Sequence, residues 1–343
     1  MTRLVRIAGP ALLLAVALVA LFAALAFGGG ADAPLISDPG EIVRFGLPVA
    51  KLLFNLGIAL TIGSLVLTCF ALSKHEEAYG AAIDIAAGGA AFWTVASAST
   101  GFLTFLSFYQ RPVSFDPAFG QTLAQFIADT EVGQAWLIIT LIAAAVTVLC
   151  FAVRNPTALI FVTVLAGAAL IPIAEQGHSA GAAGHDSAVS SLGLHLVFAA
   201  VWLGGLLTIV LLRRTLVDGR IGPVISRYSS IAIVCFVVVA ISGYVNAALR
   251  VGTLEFLLSP YGILVVVKVL ALLALGLFGL AQRRFLIDRM QRAENGGRGY
   301  FWWLVVAELG FMGLASGVAA ALARTATPVS EELVTSTPSL RSW

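Results

Sequence analysis

The chain has 343 residues, of which 59% are hydrophobic and 11% charged, with a mean hydropathy of +0.98. This balance describes a protein dissolved in lipid and excludes an ordinary water-soluble domain. The net charge of +2 carries no nucleic-acid signal, because the arginines are spaced as orientation markers between oily runs.

A bilayer core of about 30 Å takes about 20 apolar residues per helix. In chain order such runs occupy 7–27, 45–72, 81–108, 133–152, 157–175, 189–212, 228–249, 262–282 and 300–323. Polar, Gly- or Pro-bearing segments separate them, and each run can close its own backbone hydrogen bonds as a helix. No period-2 alternation supports a β-barrel. The expected fold is an all-α, polytopic membrane helix bundle of about nine spans. "MTRLVR", an apolar run and "GGGADA" also have the form of a secretory signal; cleavage would leave about eight spans without changing the later topology. The organisation reads as an N-terminal helix or signal anchor (1–27), a membrane bundle (28–225), a second membrane domain (226–325) and a linker-like tail (326–343).

Lys and Arg stay on the cytoplasmic side of short loops. With the N-terminus inside, 13 of the 20 fall on cytoplasmic segments, among them Arg3, Arg6, Lys74, Arg154, Arg213, Arg227 and Arg283. The loop 176–188 then faces outward. It carries His178 and His185, and His195 follows on the sixth apolar run, so three of the four histidines gather at one outward mouth. His75, beside "KHEE", reads as a solvated loop residue.

Imidazole is a common ligand for copper, zinc and iron. The glycine-rich "GHSAGAAGHD" loop can close His178 and His185 over a histidine fixed on a helix, with Glu175 and Asp186 as further ligands or acceptors. The two loop histidines are equally compatible with a plain loop. His195 lies inside a span, where a polar side chain needs a partner, with Ala199 and Trp202 on its face. The glycines of "WLGG" at 202–205 read as helix packing.

Further polar groups lie at membrane depth: Asn55, Tyr244, Asn246, Lys268 and Glu308. Hydrogen-bond glue is their default role. Lys268 and Glu308 are expected to compensate one another or share a polar cavity, since each charge alone in hydrocarbon is costly. Cys69, Cys150 and Cys235 are too scattered for a metal motif. They read as small hydrophobic residues, with a soft-metal thiolate site at the cytoplasmic helix ends as the sharper alternative.

"SG" at 242–243, Asn246, "SPYG" at 259–262, Lys268, "QRR" at 282–284 and Glu308 together resemble the CopD domain of bacterial copper-resistance membrane proteins. His195 with "WLGG" is similar to the helix that precedes that domain. The resemblance covers the second half of the chain. It implies an inner-membrane, multi-pass copper-handling protein, with copper as the ion, uptake as the favoured direction and a CopC-like extracytoplasmic copper-binding protein as donor. With Met1, Met290 and Met312 as its three methionines, the chain lacks a Met-rich Cu(I) ladder. The tail "RTATPVSEELVTSTPSLRSW" resembles the junction of actinobacterial CopD–CtaG fusions, which implies a CtaG-like oxidase assembly protein as another partner. Three function classes remain: a copper permease, an assembly factor for a respiratory oxidase, and a b-type haem electron carrier needing axial histidines on facing helices. An enzyme is disfavoured, because no nucleophile and base pair or nucleotide loop appears.

Overall fold

A computed structural model describes residues 2–33, 38–110, 112–176, 185–216, 218–251, 254–286 and 297–328. Its helices are α1 (Thr2–Phe27), α2 (Glu41–Ala71), α3 (Glu77–Tyr109), α4 (Pro117–Asp129), α5 (Glu131–Ala152), α6 (Pro156–Ala168), α7 (Ile171–Gln176), α8 (His185–Leu211), α9 (Asp218–Val251), α10 (Pro260–Ala281) and α11 (Gly297–Leu322). Among the described residues nine stretches are long and apolar enough to cross a bilayer, and they coincide with the nine apolar runs of the sequence. The protein is an all-α multi-pass membrane bundle.

α1 lies along α11, α2 packs between α3 and α8, and α8 continues to α9. Small residues make these approaches possible, as expected where lipid offers no hydrophobic drive between helices. A Cβ on Gly317 would collide with the Ala17 carbonyl, and one on Gly204 with the Ala59 carbonyl. Ser64 and Thr208 join α2 to α8 by a 2.7 Å hydrogen bond between their hydroxyls. Thr208 spends its own proton on the Gly204 carbonyl, so Ser64 is the donor. Beside this seam, Phe54 meets Trp93 and Trp136 edge-on at ring-centroid distances of 6.4 and 5.4 Å.

Three elements depart from the sequence expectation. The segment between the third and fourth spans is not a plain loop: α4 starts with Asp116 ahead of Pro117, a proline at the first helical turn where its missing N–H costs nothing. Its Phe126 is buried against Phe105 and its Phe119 meets the same ring edge-on. The fifth apolar run breaks into α6 and α7, because Pro172 has no N–H to donate to the Ala168 carbonyl and its ring clashes there. Finally, α9 begins ten residues before the expected start and runs through Pro223.

The motif "SPYG" is a helix start. The Ser259 side chain accepts from the Gly262 N–H at 3.1 Å, Pro260 fills the first turn and Tyr261 is buried. At its other end α10 passes into a π turn, Gln282–Leu286, a geometry found mostly at functional or strained positions.

Candidate functional site

His195 sits on α8 and faces α9. Its Nδ1 lies 3.1 Å from the Ser242 hydroxyl, and the Val239 carbonyl is a further acceptor at the ring. Ser242 donates its own proton to the Val238 carbonyl, the usual back-bond of a helical serine. Its oxygen is therefore left to accept, and Nδ1 carries the imidazole proton. That tautomer leaves the Nε2 lone pair for a ligand.

The same turn of α9 is fixed by a second layer. Asn246 donates to the Ser191 hydroxyl at 3.1 Å and to the Ser242 carbonyl at 2.8 Å, and Ser191 donates to that carbonyl at 3.0 Å. A Cβ on Gly243 would meet the His195 ring at 3.4 Å. The "SG" pair thus supplies both a hydroxyl and the room for the imidazole. Ser191 went unnoticed in the sequence; its place one turn before His195 is the signal that points to it.

Of the other expected ligands, His178 lies outside the described residues. His185 opens α8 and Asp186 follows it, but their side chains also lie outside them. Glu175 is exposed at the end of α7. Among the described residues no three His, Cys, Asp or Glu side chains come within reach of one metal ion. Among the described residues His195 is thus the imidazole held in place by neighbouring side chains.

Trp202, two turns below His195, is buried; its ring meets Phe236 edge-on at 5.8 Å and its carbonyl accepts the Tyr228 hydroxyl at 2.7 Å. The glycines of "WLGG" serve packing: Gly204 meets α2, and Gly205 accommodates the Tyr228 ring.

Lys268 and Glu308 do not pair. Glu308, 4% exposed, accepts a 2.8 Å hydrogen bond from Gln282 at the end of α10. Gln282 is 14 positions past Lys268, about 21 Å along the helix, a gap two side chains cannot close. Lys268 is half-buried and points its electrostatic influence at His195, with Arg250 nearby.

The cysteines stand on α2, α5 and α9. Cys69 lies 3.9 Å from the Thr163 hydroxyl, while Cys150 and Cys235 are buried in the apolar core. Because α9 starts at Asp218, Cys235 falls at the middle of the helix and not near the end where the sequence reading put it.

Two families match this chain. The one described as Copper resistance protein D matches residues 222–322, and Copper resistance protein D-like, N-terminal domain, matches residues 37–189. His195 and "WLGG" stand between the two matched segments. Inner membrane protein YebZ of Escherichia coli (strain K12) is 29% identical over 197 residues, covering 55% of this chain and 67% of that protein. Copper resistance protein D of Pseudomonas syringae pv. tomato is 33% identical over 193 residues, covering 50% of this chain and 59% of that protein. No solved structure matches. Both segments follow one another here in a multi-span bundle whose "SPYG" capping turn and buried Glu308 lie within the second, and the chain belongs to the copper resistance protein D family of multi-pass membrane proteins.

Proposed function

We propose that this protein moves copper inward across the cytoplasmic membrane and that the ion enters at His195. The observation that carries the reading is the 3.1 Å contact of His195 Nδ1 with the Ser242 hydroxyl, which, with the Ser242 proton on the Val238 carbonyl, leaves Nε2 as the nitrogen for a ligand. His178 and His185, with Glu175 and Asp186 as weaker donors, close over the ion from the glycine-rich segment and release it. A CopC-like protein on the outer side is the fitting donor. The cytoplasmic placement of the N-terminus follows the Lys and Arg asymmetry, and the name of the Escherichia coli relative supports the inner membrane.

Fixed and mobile ligands fail differently. With variants at equal abundance, His195→Ala abolishes copper accumulation and copper bound after purification. His178→Ala and His185→Ala weaken capture at low copper and recover with excess metal. Copper accumulation at the parental level in His195→Ala cells overturns the reading. A b-type haem has less support, because the residue facing His195 across α9 is Ser242 and not a second histidine.

A further inference from the structure

Glu308 is buried in the span of α11, seven residues or about 10 Å from the start of that span at Phe301. Among the described residues its one hydrogen-bond partner is the neutral Gln282 amide at 2.8 Å, and none of the described ion pairs includes it. An ionised carboxylate there gives up water of hydration, and among the described residues the group that answers it is the neutral Gln282 amide. A structural carboxylate would be expected beside Arg or Lys, which would lock it ionised.

The partner suits both protonation states. A glutamine amide presents two N–H donors and a carbonyl acceptor, and either end can face the carboxyl group. Toward the carboxylate it donates through Nε2; toward the acid it turns its Oε1 and accepts the carboxyl proton. Gln282 also lies in the π turn that ends α10, directly before the exposed Arg283 and Arg284. The amide thus bridges the buried acid and the aqueous surface at the arginine-rich end.

We propose that Glu308 is a proton-binding site that exchanges its proton with water at the Arg213 end of the bundle by way of Gln282. Deprotonation passes the carboxyl proton to water and leaves the carboxylate accepting from Gln282 Nε2; reprotonation reverses both steps. From α9 the groups that bear on Glu308 are Tyr228, whose hydroxyl is committed to the Trp202 carbonyl, and Cys235. Arg213 is engaged over the Trp302 ring at 4.1 Å, and Arg227 donates to the Ala71 carbonyl at 3.0 Å. On α1 the nearest titratable side chain described is Arg6. On α2 the inner half offers Cys69, which is turned to Thr163 on α6, and on α8 none lies between His195 and Arg213. Lys268 of α10 is too distant.

This inference does not depend on copper, and its test uses none. Infrared difference spectra of the full protein in vesicles of uniform orientation are recorded between acid and alkaline buffer, in H2O and D2O. A carboxylic-acid carbonyl band that titrates, shifts in D2O and vanishes in Glu308→Gln is expected. Gln282→Leu keeps the acid but moves the band and its midpoint, which preserves the test if Glu308→Gln fails to fold. Changing pH on the Arg213 side alone should reproduce the titration. A band unaffected by both substitutions, no titrating carboxyl at all, or a response only from the His195 side overturns the proposal.

Discussion

The Ser242 hydroxyl holds the His195 ring by accepting from Nδ1 at 3.1 Å, and it can only accept because its own proton is given to the Val238 carbonyl. A serine on one helix thereby sets which nitrogen of a histidine on another is free. Outer partners of ligating histidines typically contribute about 10–100-fold in metal affinity. Ser242→Ala should lower copper affinity by about that factor while leaving the bundle folded, and Ser242→Thr should keep most of it. Competition titration of the purified protein against a copper chelator checks this; unchanged affinity in Ser242→Ala would detach the hydroxyl from the site.

The glycines of "WLGG" make a different prediction. Gly204→Ala drives a methyl into the Ala59 carbonyl on α2, backbone against backbone, with no flexible side chain to yield. Overpacking of this kind costs about 1–3 kcal/mol, and a backbone clash lies at the upper end. Gly279→Ala, with open space around it, should be neutral. Thermal unfolding in detergent should rank Gly204→Ala well below both the parent and Gly279→Ala.

Lys268→Met and Glu308→Gln should behave as independent changes. Gln282, which holds Glu308, stands about 21 Å along α10 from Lys268, so the double variant should equal the sum of the singles within about 0.3–0.5 kcal/mol. A double-mutant cycle on thermal stability measures this. Substantial rescue in the double variant would restore the pair that the Gln282–Glu308 bond denies.

The membrane orientation is checked by labelling. In a background lacking the native cysteines, single cysteines replace Ser190 and Arg284, both exposed. An impermeant thiol reagent applied to intact cells should label position 190 and spare position 284. The reverse pattern would invert the bundle and place His195 toward the cytoplasm.

The sequence by itself determined the number and approximate limits of the spans, because hydrocarbon admits only helices that satisfy their own backbone and so forces long uninterrupted apolar runs. It also determined the family resemblance and singled out His195, a polar residue that oily surroundings make conspicuous. The start of α10 was present as "SPYG", since capping is local chemistry. Tertiary structure alone decided the partners. Ser242 and Gln282 become significant only because α8 packs on α9 and α10 on α11, and no spacing along the chain encodes which helices meet. Depth was decided the same way: the early start of α9 centres Cys235, and the packing of α10 on α11 sets Gln282 against Glu308. A charge's cost in lipid can be read from one residue, but what offsets it belongs to the neighbour that packing brings.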